Sequence, residues 1–437
     1  MKGAAILSVE NLTKEPRFFY GWVILAACFS ATVVLGGVLY SFGVFFNPLL
    51  EEFGWSRALT SSVNTVSLVA FGVSLIILGR MTDKYGPRIV LAFGGTLISG
   101  GFALCSQVDS ISLLYLCYVI LGLGSGAAWA LPTATIQRWF LRGRGLTLGI
   151  VSSGVGLGAF IFAPIASYLI DVYGWRTSYL IIGVFTFTVT NLSASVLVIS
   201  PGKKGLKPYG KNDRASSPTD ELADTIKLDE IKSKFITDEK WTPGELLRTW
   251  TFYGICLIDL FSVLPLYMIA VHVVPYATDI GISRVLAASA LGLIGCSNIA
   301  GRIVIGGATA KIDFKTALAI SCFLCSASVL FLIGARSIEM LYVFAIVYGF
   351  FYGGKVTLIP GLIGFFYGTE SLATLIGTSH SLAIFGGAGG PILAGYLFDR
   401  TGSYIIAFLL AAGSFFISGA FTVAIKPPQK APVNQDV

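Results

Sequence analysis

The stretch GCSNIAGRIVIGG, Gly295 to Gly307, puts one arginine, Arg302, inside an apolar run. Asn298 lies four residues earlier, so on a helix the two share a face. Gly295 and Gly306 continue that face with almost no bulk. A guanidinium keeps its charge at any physiological pH. At the centre of a bilayer it costs roughly 2.5–3.5 kcal/mol on insertion scales, so it needs water or a partner. Its planar fork matches a carboxylate through two parallel hydrogen bonds. Asn298 is placed to donate to the same ligand or to orient the arginine. The alternative is a permanent pair with an acid, and Asp259, also within an apolar run, is the acid for it.

Other polar residues stand in similar surroundings. His272 and His380 are the chain's two histidines. Imidazole titrates near physiological pH, so with Asp259 they are the candidate proton carriers. Each is also a candidate hydrogen-bond donor to an anion, while His272, toward the end of its run, reads equally as a satisfied interfacial side chain. Lys355 in YGGKVTLIPG is either a second cationic contact or a long stem snorkelling to water. Tyr352 and Tyr40 are candidate hydroxyl donors. Ser125, Trp129 and Thr133 step along one helix face, which packing alone explains. The candidate binding set is therefore Arg302, Asn298, His380, His272, Tyr352, Lys355 and Tyr40. No nucleophile–base constellation, HExxH cluster or phosphate-cradling loop is present, so neither an enzyme nor a bound cofactor or metal is expected.

The elements that carry these residues follow from composition. Hydrophobic residues make up 55% of the 437 and charged ones 12%, with mean hydropathy +0.79. A soluble domain carries about 25% charge. The apolar runs lie near 18–48, 58–79, 89–108, 111–137, 145–170, 177–199, 250–278, 285–308, 316–335, 340–367, 371–398 and 401–425. Each is long enough to span a bilayer, which predicts an all-α membrane protein with twelve transmembrane helices in two six-helix bundles. Loops on one side carry only Arg57, Arg176, Arg284, Arg336 and Arg400. All other Lys and Arg outside the runs fall on the opposite side, which places both termini in the cytoplasm. The net charge of +7 thus reports topology and not nucleic-acid binding. The seven cysteines all lie in apolar runs, and even Cys322-x-x-Cys325 reads as buried small side chains.

The expected organisation is a tail (1–17), a first bundle (18–199), a polar cytoplasmic linker (200–248), a second bundle (249–425) and a tail (426–437). The bundles repeat. PLLEEFGWSRAL (48–59) matches PYATDIGISRVL (275–286), an offset of 227 from 275 minus 48. The same offset takes GRMTDKYGPRIVL (79–91) onto GGATAKIDFKTAL (306–318), Gly122 onto Gly349 and Pro164 onto Pro391. It pairs Arg302 with Leu75, Lys355 with Ala128 and His380 with Ser153. Charge stands in the second half where the first has none.

GRMTDKYGPR (79–88) resembles the loop between spans 2 and 3 of the major facilitator superfamily, with Pro87 a departure. The resemblance implies the major facilitator fold and a cytoplasmic gate formed by Gly79, Asp83, Lys84, Gly86 and Arg88. FYGWVI (19–24), SFGVFFNPLLEEFGWSR (41–57), RWFLRGRGLTLGIVSSGVGLG (138–158) and GGPILAGYLFDRTGSY (389–404) resemble the branch of monocarboxylate transporters and oxalate/formate antiporters. The family's arginine in span 8 matches Arg302. Asn298 replaces the aspartate that monocarboxylate transporters carry four residues before it, and Tyr40 stands at their lysine of span 1. His380 falls at or near the second cation that the antiporters carry in span 11. The resemblance implies a plasma- or inner-membrane carrier of small monocarboxylates, lactate- or pyruvate-like, by proton symport, with organic-anion exchange as the alternative. A carrier of neutral or cationic solutes and a carboxylate-binding membrane receptor are the rival readings. The expected partners are a small carboxylate, a proton or counter-anion, and the bilayer, with the chain a monomer.

Overall fold

The computed structural model of the protein describes residues 19–210, 243–246 and 249–428. The expected N-terminal tail, the linker from 211 to 242 and residues 429–437 lie outside the described residues. Span 1 is Gly21–Phe53, span 2 Arg57–Tyr85 and span 3 Pro87–Cys105. Span 4 is broken into Ile111–Ser125, a 3-10 turn Gly126–Ala128, and Ala130–Trp139. Spans 5 and 6 are the two arms of Arg144–Val196, 53 residues long. A straight helix of that length measures about 80 Å, against about 30 Å of hydrocarbon. Gly174, at φ 75 and ψ 159, turns the chain between the arms. Spans 7 to 10 are Trp250–Asp279, Arg284–Ala308, Phe314–Ile333 and Ile338–Tyr367. Span 11 is Leu372–Gly387 continued by Gly389–Thr401, and span 12 is Ile405–Ala424. The twelve expected spans are present, six in each half of the chain.

The repeat is visible in individual bonds. Ser56 and Ser283, which are 227 apart, each cap a helix by accepting the backbone N–H three residues on, and so do Ser110 and Ser337. Ser62 Oγ meets the hydroxyl of Tyr115 in a short hydrogen bond, and Ser289 Oγ meets that of Tyr342 at 2.7 Å. Gly174 and Gly402 both take positive φ at the corner between the last two spans of each half.

The bundles touch where glycine lets backbones cross. On one side span 5 meets span 8: a Cβ on Gly149 would lie 2.2 Å from the Arg302 carbonyl oxygen, and one on Gly145 would lie 2.3 Å from that of Gly306. On the other side span 2 meets span 11: a Cβ on Gly377 would lie 2.1 Å from the Leu75 carbonyl oxygen, and one on Gly79 would lie 2.6 Å from that of Ala373. These crossings sit in the half nearest the chain ends. Toward the opposite end the contact loosens: along span 8 from Ser289 to Ala300, Ala290 alone is buried. The molecule is therefore closed at the end where span 1 begins and span 12 finishes, here the terminal end, and parts toward the other.

Gly149→Val forces a branched side chain into that crossing and is expected to hold the closed end apart. The check is the reaction of Thr309→Cys, beside Gly145, with a water-soluble maleimide. Labelling is expected to rise several-fold with the valine present, whereas unchanged labelling would show that the crossing does not set closure.

Candidate functional site

Arg302 lies where span 8 crosses span 5, with 8% of its surface exposed. Its Nε–H donates to Asn298 Oδ1 at 2.7 Å, so the four-residue spacing serves to orient the guanidinium. Its Nη1 donates to the carbonyl of Ser152, on the opposite bundle, in a short hydrogen bond. Ser152 Oγ in turn meets Thr357 Oγ1 of span 10 at 3.0 Å. One turn of span 5 is thereby tied to spans 8 and 10. Arginine at this point is a bond between bundles as well as a buried cation.

A second group of charges lies within the C-terminal bundle. Asp259 of span 7 accepts from Lys355 Nζ of span 10 at 2.9 Å through Oδ1. Its Oδ2 is 3.0 Å from His380 Nδ1 of span 11. The acid expected as the alternative partner of Arg302 thus has both oxygens engaged by Lys355 and His380. Lys355 does not snorkel: its side chain and that of Asp259 are each 2% exposed. The Asp259 pair fixes the ammonium where it is, because a buried charge that lost its partner would be strongly disfavoured. Tyr352, one turn before Lys355 and 4% exposed, has the Lys355 Nζ 5.4 Å from its ring centroid.

Trp129 closes this group from the other bundle. It sits at the break of span 4, with φ −114 and ψ −65, and its ring centroid is 5.4 Å from that of His380. With Asp259, Lys355, Ser379 and His380 it lines a pocket of about 20 Å³, room for a water-sized group. The Trp129 indole N–H is buried and has no hydrogen-bond acceptor among the described residues. Such a donor suits a ligand made of acceptors.

The other expected residues fall elsewhere. His272 has Nε2 3.0 Å from the Pro391 carbonyl and Nδ1 3.4 Å from the Tyr404 hydroxyl. It is thirteen residues along span 7 from Asp259, about 20 Å at the helical rise, and is not brought together with that group. Tyr40 lies on span 1, and its side chain is outside the described residues. Cys322 and Cys325 are buried and unbridged. Among the described residues no group of three metal-ligating side chains is assembled.

At the closed end, Asp83 Oδ1 takes Arg138 Nη2 at 2.8 Å, and Oδ2 accepts both the backbone N–H and the hydroxyl of Thr374 at 2.8 Å. Arg138 also donates to the carbonyls of Thr369 and Glu370. Asp83 therefore joins the bundles directly. Gly79 allows the span 2 and span 11 backbones to meet, and Gly86, at φ 89, ends span 2. Lys84 and Arg88 are exposed, and Lys84 lies over the neighbouring Tyr85 ring at 5.0 Å. Arg138 and Thr374 were missing from the expected gate. The only signal for Arg138 was a basic residue at the foot of span 4, which topology alone explains. Ser152 contributes a backbone carbonyl, for which no side-chain signal exists.

The sequence model of the Major Facilitator Superfamily matches residues 28–338 and 268–436. The chain is 27% identical to monocarboxylate transporter 12 of Mus musculus over 427 residues, 93% of this chain and 86% of that one. It is also 27% identical to the oxalate:formate antiporter of Oxalobacter formigenes, covering 95% of this chain and 94% of that one. Among solved structures, the major facilitator transporter FucP in its outward conformation superposes with a TM-score of 0.69 at 15% identity, covering 92% of this chain and 98% of that one.

Lys355→Met leaves the Asp259 carboxylate buried beside a thioether and is expected to cost about 3–5 kcal/mol of stability. Adding Asp259→Leu removes the stranded charge and should recover most of that loss. Thermal unfolding in detergent checks both, and a double variant no more stable than the single one would contradict the pairing.

Proposed function

The chain belongs to the major facilitator superfamily of membrane transporters, and from that premise we propose that it carries small monocarboxylates, lactate- or pyruvate-like, by alternating access with a proton as the coupled ion. The observation that carries this reading is Arg302, oriented by Asn298 and bonded to the Ser152 carbonyl across the bundle interface. A carboxylate matches a guanidinium better than a peptide carbonyl does, since it offers two coplanar oxygens and a full negative charge. Its arrival would displace the carbonyl of span 5 and so loosen the tie that helps hold the terminal end shut. The distribution of Lys and Arg supports a cytoplasmic position for that end, and on this reading the parted end faces outward and receives the anion. Asp83, Arg138 and Thr374 then act as the inner gate, which opens once the bundles rock.

A second reading, exchange of organic anions without a proton, is favoured by the identity to the oxalate:formate antiporter over nearly the whole chain. Flux separates the two. Proton symport predicts uptake that rises as external pH falls and needs no internal anion. Exchange predicts uptake that requires internal anion and does not follow the proton gradient. Binding without flux would indicate a receptor.

Arg302→Lys keeps the charge but removes the planar fork. Uptake of labelled lactate or pyruvate into proteoliposomes is expected to fall by about tenfold or more, with membrane insertion intact. Unchanged uptake would remove Arg302 from the substrate's path.

A further inference from the structure

Resting on the carboxylate-symport reading above, we propose that His380 is the proton-carrying residue, loading at Nε2, and that Asp259 and Lys355 hold it in the tautomer able to do so. Asp259 is shared between an ammonium at 2.9 Å and an imidazole nitrogen at 3.0 Å. A carboxylate beside a lysine ammonium accepts hydrogen bonds and donates none. The nitrogen facing it, Nδ1, must therefore carry the hydrogen in neutral His380. That leaves the lone pair on Nε2, the far side of the ring, to accept a proton. Access agrees: the His380 side chain is 22% exposed, whereas Asp259 and Lys355 are 2% each. Water reaches the imidazole and not the pair behind it.

The charges around the ring are few and come from known elements. Span 7 supplies Asp259, with Cys256 beside Ser379, and span 10 supplies Lys355, with Tyr352 behind it. Span 4 presents the uncharged Trp129. Span 2 presents Gly72, Leu75 and Gly79, and its acid Asp83 sits six residues along span 11, at Thr374. Neutral His380 leaves the Asp259–Lys355 pair balanced, and a proton on Nε2 adds one net charge.

The ring also sits where the bundles cross. The span 2–span 11 crossing at Leu75 and Gly377 repeats the span 5–span 8 crossing at Arg302 and Gly149. The anion's arginine and the proton's histidine therefore lie at the two corresponding crossings, both on the C-terminal bundle. In the present arrangement Trp129 covers one side of His380. When spans 2 and 4 part from span 11, that side opens to the terminal end. A proton taken onto Nε2 from water at the open end leaves to water at the terminal end, and no other bond changes. Anion and proton thus bind separate residues and share one rocking step.

The test compares two fluxes in proteoliposomes holding the full chain: net uptake of labelled lactate driven by an inward proton gradient, and lactate–lactate exchange at equal pH. His380→Gln is expected to lower gradient-driven net uptake by about tenfold or more and to flatten its pH profile, while exchange falls far less. Arg302→Lys is expected to lower both fluxes together. A His380→Gln chain, monodisperse in detergent, that keeps its gradient stimulation overturns the assignment. One that loses exchange and net uptake equally also overturns it, by making His380 part of the anion's own site. Protons taken up per lactate bound, measured by calorimetry in buffers of different ionisation enthalpy, should be near one in the unaltered chain and near zero in His380→Gln. Equal values in both overturn the assignment without reference to flux. Failure of the unaltered chain to move any carboxylate in either assay overturns the functional reading and this inference with it.

Discussion

A charge in hydrocarbon must have a partner, and that constraint organises the C-terminal half of this protein. Arg302, Lys355, Asp259 and His380 come from spans 8, 10, 7 and 11, and each is met by a polar group at hydrogen-bond distance. The pairings differ in kind. Lys355 and Asp259 neutralise one another inside a single bundle, an arrangement that stays intact when the bundles move. Arg302 is bonded to a carbonyl of the other bundle, and that bond must be remade whenever the bundles part. The first group is suited to hold something in place and the second to respond to a ligand.

The glycine crossings make the response possible. Two helices approach closely at Gly149 and Arg302, and two more at Gly377 and Leu75, in positions related by the internal repeat. Small residues let the backbones touch, so closure there is set by shape, with little side-chain interlocking to undo. On that near-symmetric frame, the mid-span charges Arg302, Lys355 and Asp259 all stand on the C-terminal bundle. The N-terminal bundle contributes backbone, Trp129 and the Asp83–Arg138 pair at the closed end, and the C-terminal bundle contributes Arg302 and the Asp259–Lys355–His380 group.

Much of this was legible in the sequence, for identifiable reasons. The spans follow from hydropathy, and the repeat from glycines and serines whose jobs, turning the chain and capping helices, are local. The Asn298–Arg302 contact follows from spacing on one helix. What was hidden depends on distant parts of the chain. Lys355 and Asp259 are 96 residues apart, and His380 is 121 from Asp259, so their union needed the packing of spans 7, 10 and 11. The Ser152 carbonyl carries no side-chain mark. Sequence reading left His272 with two equal meanings, and its contacts with Pro391 and Tyr404 became visible only once spans 7, 11 and 12 were packed. The long helix Arg144–Val196 contains two expected runs because its only break is the backbone turn at Gly174.

The most direct measurement of the central claim is a thermal-shift comparison of the purified chain with lactate and with lactamide, its uncharged near-isostere. If Arg302 receives a carboxylate, saturating lactate stabilises the protein, by about 2.7 kcal/mol at a hundredfold excess over the dissociation constant. Lactamide should do nothing, and Arg302→Lys should abolish the effect. Equal stabilisation by acid and amide, or a lactate shift that survives in Arg302→Lys, would contradict the account.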